Sequence, residues 1–336
     1  MLKIDGSHGE GGGQILRTAV GLSVLLKKPL RISKIRENRP KKGLSPQHLF
    51  TLNALGNICG AKTKGLFLRS REILFEPQSI EKKRLKVEIP TAGSVTLVLQ
   101  ALTIPASFHG LSVYLKGGTD VSWSPPFDYL KNVTLKTLEK MGVRSHGRLF
   151  KRGYYPRGGG SVEIEIHKTK VLKPLVMRDF SKVSKIHGIS HSTIENVAER
   201  QKKSARKFLI ENSYDAKVLV EKSEGPKGSG ITLWAETDEG FLASSALGKK
   251  GKPAEVVGRE AAKELFSYLE DKTIDRYLGD QLIPYMALAK GKSEIVVPKL
   301  TEHLKTNIWV CEQFLDVNFE IEDKIVRVEG VAFSLD

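Results

Sequence analysis

The chain has 336 residues and the composition of a folded protein, with 40% hydrophobic and 27% charged residues. Its length predicts two domains. No apolar run approaches the roughly 18 residues of a membrane span, and the N-terminus lacks the apolar segment of a signal peptide. Cys59 and Cys311 lie far apart and without metal-ligand spacing. This pattern argues against a disulfide framework or a zinc site and favours a reducing cytoplasm.

The charge balance indicates a class of partner. Lys and Arg number 54 against 38 Asp and Glu, which gives a formal net charge of +16. Such an excess favours polyanionic partners, RNA or nucleotides among them. A lysine-rich surface kept for solubility would give the same number, and an aromatic content of 7% does not indicate a dense base-stacking platform. Charge alone therefore leaves the partner open.

The hydrophobic pattern predicts an element order that occurs three times. The order is helix, strand, helix, strand, strand. The first unit covers 13–26, 30–35, 45–59, 64–68 and 72–75; the second covers 94–107, 111–115, 127–141, 148–151 and 161–166; the third covers 279–290, 293–297, 301–315, 317–321 and 324–328. Three βαβ-like units of this kind predict an α/β fold with a large domain built from repeats.

The residues between the second and third units follow a different order. They predict a strand, a basic helix, three strands and a helix, over 183–190, 193–211, 216–221, 230–237, a stretch after Gly240, and 254–270. We expect a smaller inserted α/β domain, residues 179–271, within a large domain formed by residues 1–178 and 272–336. Its basic helix could grip RNA, as a hypothesis, through Arg200, Lys202, Lys203, Arg206 and Lys207.

A glycine-rich segment, HGEGGGQ at residues 8–14, precedes the first helix, which carries Arg17. Glycines at this place let backbone N–H groups approach a phosphate, and the helix start adds positive potential. A tight turn between strand and helix would explain the glycines as well. Glu10 in this segment can hold a divalent cation that bridges phosphates, or it can be a solvated loop acid.

A basic stretch follows the first helix. Residues 27–42 contain eight basic side chains and one acid, with Arg36 and Arg39 on either side of a turn, and Gln47 and His48 open the next helix. The planar fork of arginine suits phosphate because it binds two oxygens at once. A solvated basic edge would show the same spacing.

Three further segments carry polar groups at helix starts. Gly-Gly-Thr-Asp at 117–120, followed by Ser-Pro-Pro-Phe-Asp-Tyr at 124–129, favours a loop and a helix cap. Tyr-Leu-Gly-Asp-Gln at 277–281 suits either an adenine base or a cap. In the third, Thr301 is a plausible N-cap, which places His303 in the first turn. The helix dipole there favours the neutral, nucleophilic imidazole and attracts phosphate, although a single histidine on a helix is more often structural.

Taken in order, these segments resemble the RNA 3′-terminal phosphate cyclase family. The resemblance rests on five motifs and covers essentially the whole chain: Gly-Glu-Gly-Gly-Gly-Gln at 9–14, Arg-Glu-Asn-Arg-Pro at 36–40, Gly-Gly-Thr-Asp at 117–120 with Pro-Pro at 125–126, Tyr-Leu-Gly-Asp-Gln at 277–281, and Glu-His-Leu-Lys-Thr-Asn at 302–307. It implies the same architecture of three similar α/β units with a smaller inserted domain.

The resemblance also implies a reaction. His303 would attack the α-phosphate of ATP and carry AMP, which passes to an RNA 3′-phosphate before the 2′-hydroxyl closes a 2′,3′-cyclic phosphodiester. Mg²⁺ or Mn²⁺ is implied, with Glu10 as the associated carboxylate. The implied ATP-binding positions are Gln100, Pro125, Tyr277, Leu278, Gly279, Asp280 and Gln281, with Tyr277 and Pro125 on either side of adenine. The implied contacts to phosphate and the RNA end are Arg17, Arg36, Arg39, Gln47 and His48.

Two alternatives stay open at this point. The family includes a noncatalytic branch that lacks the nucleophile, and the intact motif around His303 favours the catalytic side. A silent RNA-binding scaffold predicts ATP-independent RNA binding and tolerance of His303→Ala. A different transferase predicts a small-molecule substrate, because fold does not fix chemistry. The oligomeric state, a homodimer included, is not determined by the sequence.

Overall fold

The first sheet is formed by residues near the N-terminus. In this computed structural model, which describes residues 1–335, its elements are β1 (Leu2–Asp5), α1 (Gly13–Leu26), β2 (Leu30–Ser33), α2 (Pro46–Cys59), β3 (Lys62–Lys64) and β4 (Ile73–Glu76). The strand order is β1-β2-β4-β3. β1 pairs with β2 in parallel, and β4 is antiparallel to both β2 and β3. Both helices connect strands of the same sheet.

The second sheet repeats this arrangement. Its elements are β5 (Arg84–Glu88), α3 (Val95–His109), β6 (Leu111–Gly117), α4 (Phe127–Tyr129), a π-helical segment (Leu130–Thr134), α5 (Leu135–Lys140), β7 (Ser145–Lys151) and β8 (Gly160–Ile166). The order is β5-β6-β8-β7, again with a parallel first pair and antiparallel neighbours.

Residues 176–270 contain the next strands and two long helices. They are β9 (Val176–Met177), β10 (Val183–Ser192), α6 (Val197–Glu211), β11 (Lys217–Lys222), β12 (Ser229–Thr237), β13 (Phe241–Leu247) and α7 (Ala254–Glu270). β10 to β13 form a sheet of order β11-β10-β12-β13. Its helices α6 and α7 pack against each other. The chain order in this sheet differs from that in the first two sheets.

The remaining elements complete a sheet with β9. They are α8 (Arg276–Leu288), β14 (Lys290–Val296), α9 (Glu302–Phe314), β15 (Phe319–Glu322) and β16 (Ile325–Val331). The order β15-β16-β14-β9, with β9 parallel to β14, has the connectivity of the first two sheets. The predicted α/β class is confirmed, because helices and mixed sheets alternate along the chain.

Helix α1 lies at the centre of the helical layer. It packs against α2, α3 and α9, and α8 packs against α9. Ile15, Ala19 and Leu22 of α1 are fully buried. A methyl group at Gly21 would lie 3.0 Å from the Ala101 carbonyl oxygen, so glycine allows the close approach of α1 to α3. This packing brings the start of α1 beside α8 and α9, which follow it by more than 260 residues in sequence.

Several predicted boundaries were wrong. Each group of helix, strand, helix, strand, strand begins with an additional strand, β1, β5 or β9, and neither β5 nor β9 was predicted. The strand predicted over 64–68 is β3, at Lys62–Lys64. α8 begins at Arg276 rather than at residue 279, because Asp275 caps it by accepting from the Tyr277 and Leu278 N–H groups. Among residues 1–335, none of the helices has both the length and the apolar character that crossing a membrane requires.

Candidate active site around His303

The start of α9 positions His303. The Thr301 side chain accepts a hydrogen bond from the Leu304 N–H at 2.9 Å, which confirms the predicted N-cap. The same hydroxyl donates to Asp280 of α8 at 2.6 Å. Because the cap is bonded to both helices, the first turn of α9 has a fixed position relative to α8.

The imidazole of His303 lies between two carboxylates. Its Nε2 is 3.2 Å from Oε2 of Glu10, and its Nδ1 is 3.7 Å from Oδ2 of Asp280. Its side chain is 45% exposed. Burial lowers the pKa of His303; Glu10 acts in the opposite direction, and Arg17 adds to the lowering. The imidazole is therefore neutral near pH 7 and still accessible, as a nucleophile requires.

The glycine-rich segment lies directly against α9. The Gln14 amide donates to the His303 carbonyl oxygen, and the His8 ring stacks on Trp309 with centroids 3.9 Å apart. Glu10 also receives a 2.5 Å hydrogen bond from Arg39. These contacts bring two predicted motifs, 289 residues apart at Gln14 and His303, into one site.

Positive charge near the site is only partly neutralised. Burial lowers the pKa of Arg17 to about 10, and no acidic group in the described part of the chain offsets that effect. Burial also lowers the pKa of His48 to about 3, with further lowering by Arg17 and Arg36. His48 is therefore neutral, and Arg17 lacks a counter-ion. An arginine in this situation is suited to bind an anion such as phosphate.

Glycine is required at the start of α1 by His48. A methyl group on Gly13 would lie 1.9 Å from Nε2 of His48, closer than any real contact. His48 itself is held by Ser45, whose N–H donates to Nδ1 at 3.2 Å. The absence of a side chain at Gly13 therefore allows the close approach between α1 and α2.

A cavity next to His303 is lined by many of the predicted residues. Those that line it are Arg17, Gln100, Pro125, Tyr277, Asp280, Gln281 and His303. Burial raises the pKa of Asp280 to about 7, although its hydrogen bond from Thr301 acts in the opposite direction. The cavity thus combines an arginine, a histidine and a carboxyl group that titrates near neutrality.

Seven predicted residues do not line this cavity, and one of them, Glu10, contacts His303 as described above. Leu278 is fully buried, and a methyl group at Gly279 would lie 3.1 Å from Val297, so both belong to the packing of α8. The Gln47 amide donates to the Ser94 carbonyl at 3.1 Å and thereby joins α2 to α3. Arg36, Arg39 and His48 lie beside the cavity: Arg36 donates to Gly43 at 3.3 Å, and Arg39 is bound by Glu10.

Several residues of the cavity were not assigned from the sequence. Gln14, Thr18, Asn307 and Trp123 all line it. Thr18 donates to Asn307 at 2.7 Å, and Asn307 donates to the Asp280 carbonyl at 2.5 Å. Thr18 lies one turn beyond Gln14, and Asn307 lies one turn beyond His303, so i,i+4 helical spacing is the signal that could have found them.

Two buried amide atoms of the cavity have no hydrogen-bond partner among residues 1–335. They are Oε1 of Gln14, an acceptor, and Nε2 of Gln281, a donor. The other amide atom of Gln281, Oε1, accepts from Thr134 at 3.0 Å, so the orientation of the side chain is set. Unpaired buried polar groups are costly, and a bound polar ligand would satisfy both.

The Gly-Gly-Thr-Asp motif has a structural role. Its Asp120 lies with Asp128 and His191 in a buried group that has ligand atoms close enough for a metal ion. The guanidinium of Arg152 is among them, 3.3 Å from Asp120 and 2.8 Å from Asp128. The carboxylates share this cation, which also pairs with Glu221 at 2.6 Å, and Asp120 lies 3.2 Å from His191, so the group is an ion-pair cluster that joins the loop to β10.

The basic face of α6 is largely paired. Arg200 forms two hydrogen bonds with Glu255, and Arg206 pairs with Asp215 at 2.8 Å. Lys202 and Lys207 lie 3.8 and 3.9 Å from glutamates on the same helix. The hypothesis that this helix grips RNA therefore stands on fewer free charges than the sequence implied.

The fold and the site together are those of an α/β enzyme with an accessible histidine. A model of the RNA 3′-terminal phosphate cyclase family matches residues 8–321. The chain is 54% identical over 331 residues to the RNA 3′-terminal phosphate cyclase of Thermococcus gammatolerans, covering 96% of this chain and 95% of that protein. It is 50% identical over 332 residues to the cyclase of Pyrococcus abyssi, covering 97% and 96%. The chain therefore belongs to the RNA 3′-terminal phosphate cyclase family and is an enzyme of that family.

Similarity extends to a more distant relative. The RNA 3′-terminal phosphate cyclase of Methanosarcina mazei is 45% identical over 348 residues, covering 96% of this chain and 97% of that protein. Among solved structures, the enolpyruvyl transferase NikO from Streptomyces tendae aligns with a TM-score of 0.26 at 12% identity, covering 98% of this chain and 81% of that chain. That likeness is too weak to support an argument about fold or function.

Proposed function

We propose that the chain converts a 3′-phosphate at the end of RNA into a 2′,3′-cyclic phosphodiester, using ATP and carrying AMP on His303. The observation that supports this most strongly is the neutral, accessible His303 beside Arg17, which has no counter-ion in the part of the chain that the structure describes. The first turn of α9 adds a positive potential that favours a phosphate at the same place. Membership of the cyclase family supplies the substrate class.

The first step forms a bond between His303 and AMP. Nε2 of His303 attacks the α-phosphorus of ATP, the bond from that phosphorus to the bridging oxygen breaks, and pyrophosphate leaves. In the structure Nε2 of His303 faces the Glu10 carboxylate at 3.2 Å, so the attack requires that carboxylate to turn away. Asp280, on the Nδ1 side, then favours the tautomer with its proton on Nδ1 and the lone pair on Nε2. Arg17 binds the phosphate oxygens and stabilises the charge that develops on them.

Two further steps use the bound AMP. An oxygen of the RNA 3′-phosphate attacks the same phosphorus, the bond to His303 breaks, and an RNA(3′)pp(5′)A end forms. The adjacent 2′-hydroxyl then loses its proton and attacks the terminal RNA phosphorus, and AMP leaves with the bridging oxygen. Activation is necessary because AMP is a good leaving group whereas a bare phosphate oxygen is not. Pro125, Tyr277 and the free amide of Gln281 provide the surface for adenine.

Mg²⁺ or Mn²⁺ belongs to the proposal, with Glu10 as its protein ligand. The carboxylate fits this role because it is 40% exposed and adjacent to His303, and Mg²⁺ commonly binds one or two carboxylates together with substrate phosphates. When bound, the ion would offset the triphosphate charge and assist the departure of pyrophosphate.

The architecture and setting complete the proposal. The shared connectivity of three sheets supports three repeated units in residues 1–178 and 272–336, with residues 179–271 as an inserted domain. The absence of a helix able to span a membrane in residues 1–335 is compatible with the cytoplasmic location that we propose.

The test is incubation of the protein with α-labelled ATP and Mg²⁺, followed by denaturing electrophoresis. Wild-type protein should retain an acid-labile label that RNA with a 3′-phosphate removes, and His303→Ala should not. His167→Ala, which removes an exposed histidine at the end of β8, is the matched control and should keep the label. Absence of label from folded wild-type protein that binds RNA would favour the scaffold alternative.

A further inference from the structure

Trp123 is the most exposed large hydrophobic residue of the described chain. Its exposed fraction is 98%, although tryptophan normally buries most of its surface. It nevertheless lines the cavity of His303, in the company of Pro125 and Tyr277. A residue that is both fully exposed and part of the cavity wall lies at its rim, where a bound molecule would leave the cavity for solvent.

The backbone conformation of the loop holds Trp123 outward. Trp123 has a φ of 68°, in the left-handed region that bulky residues rarely adopt. The loop is anchored on both sides: Asp120 is held by Arg152, and the Pro125 carbonyl accepts from Thr96 at 2.7 Å. Strained conformations of this kind persist where the surroundings hold them and often mark ligand contacts. The anchors fix the backbone from which the indole projects before any ligand arrives.

The place of Trp123 distinguishes two possible ligands. The adenosine of AMP is expected inside the cavity, where the free amide of Gln281 and the side chains of Pro125 and Tyr277 lie. The RNA end has to approach the exposed face of His303 from solvent, past the rim. Its terminal nucleoside is therefore the group nearest to an aromatic ring on the rim.

We propose that Trp123 is the stacking platform for the 3′-terminal nucleobase of the RNA. This inference rests on the proposed function, since it takes an RNA 3′-phosphate as the substrate. Stacking on an aromatic ring tolerates every base, because each base has a π-face. The platform would bind the last nucleotide without reading its identity and would hold the 3′-phosphate towards Arg17 and His303.

The test measures binding of a fluorescent RNA with a 3′-phosphate in the absence of ATP. Trp123→Ala should weaken binding by about tenfold, which corresponds to about 1.4 kcal/mol and lies in the range for base–aromatic stacking. Trp123→Phe should retain most of the affinity because it keeps an aromatic face. Because the side chain is exposed, neither substitution removes core packing, and circular dichroism checks that both variants fold.

A second RNA that lacks only the terminal base separates stacking from other effects. Wild-type protein should bind this RNA about tenfold more weakly than the complete RNA. Trp123→Ala should bind both RNAs equally, because removing the ring and removing the base eliminate the same interaction. Phe150→Ala is the matched control, because this ring is 48% exposed on β7 and does not line the cavity. That variant should still distinguish the two RNAs.

Two results would overturn the inference. One is a Trp123→Ala variant that still distinguishes the two RNAs. The other is a raised KM for ATP in the labelling of His303 with unchanged RNA affinity, which would assign the ring to adenine. Failure of the proposed function is a separate result. Wild-type protein that binds RNA through Trp123 but never takes the label from ATP would support the stacking platform and contradict the proposed cyclase reaction.

Discussion

The side-chain amide of Asn307 donates a 2.5 Å hydrogen bond to the main-chain carbonyl of Asp280. The other amide atom of Asn307 accepts from Thr18 at 2.7 Å. One buried side chain thus joins three helices, α1, α8 and α9, at the point where they meet around His303. The geometry of the site depends on this amide as well as on the residues that react.

Asn307→Asp tests that dependence with little change of shape. The carboxylate cannot donate to the Asp280 carbonyl, so we expect the free energy of unfolding to fall by about 2 kcal/mol. Labelling by ATP should slow as well, because α8 and α9 would separate. Chemical denaturation and the labelling assay measure the two effects. Asn132→Asp is the control, because the Asn132 amide also donates to a carbonyl, at 2.9 Å, but is only half-buried. An equal loss of stability and labelling rate in this control would contradict the role assigned to Asn307.

Arg17→Met should raise stability and lower activity. The half-buried Arg17 has a pKa lowered by burial to about 10 and no acidic partner among residues 1–335, so its removal should increase the free energy of unfolding by about 1 kcal/mol. Loss of a charged hydrogen bond to phosphate should slow labelling by about tenfold to a hundredfold. Arg31→Met, which removes an exposed partner of Glu72, should change neither quantity appreciably. A destabilised Arg17→Met protein would contradict the assignment.

The pH dependence of labelling should report the ionisation of His303. Only the neutral imidazole attacks, so the rate rises with pH through the pKa of His303, which burial lowers. Glu10 raises that pKa, so Glu10→Gln should move the acid limb of the profile to lower pH, whatever the maximal rate. The rate is measured across pH 4 to 8 in wild type and variant. An acid limb at the same pH in both proteins would show that Glu10 does not affect the ionisation of His303.

Gly13→Ala should destabilise the protein because of a single contact. The added methyl group would lie 1.9 Å from His48, and overpacking of this kind costs about 1–3 kcal/mol. In a His48→Ala background the same substitution should cost much less. Gly56→Ala, where the nearest atom would lie at 3.7 Å, should be neutral or stabilising. Equal costs of Gly13→Ala in both backgrounds would show that His48 is not the cause.

Asp280→Asn should flatten the dependence of stability on pH. Burial raises the pKa of this carboxyl from 3.8 to about 7 in the folded protein. The folded state then binds the proton more tightly, so its contribution to stability is complete below about pH 4 and is lost as pH rises to 7. The variant should lack this loss, as measured by urea denaturation at pH 4 and 7. An identical decline in both proteins would contradict the raised pKa.

Local signals predicted part of this molecule well. The helix over 13–26 has the predicted bounds, and Thr301 caps α9 with His303 in its first turn, because caps and apolar periodicity act within a few residues. The bonds from Gln14 to His303 and from Thr18 to Asn307 join residues 289 apart. They depend on how whole helices pack, which no local pattern records.

Other errors have similar causes. β9 has only two residues and exists through its pairing with β14, so no alternation could reveal it. Leu278 and Gly279 do not line the cavity, because α8 turns them into the core, and their predicted contact with ATP stays a prediction. Helical rotation decides which side chains of the motif reach the cavity.

Glu10 and His303 are in contact but lie 293 residues apart in the sequence, which has a consequence for biosynthesis. A nascent chain that has exposed only α1 and its glycine-rich segment lacks the histidine and the cap of α9. The ribosome must synthesise and release the chain beyond Asn307 before α1, α8 and α9 can meet around His303. The complete site can therefore form only after nearly the whole chain has been made.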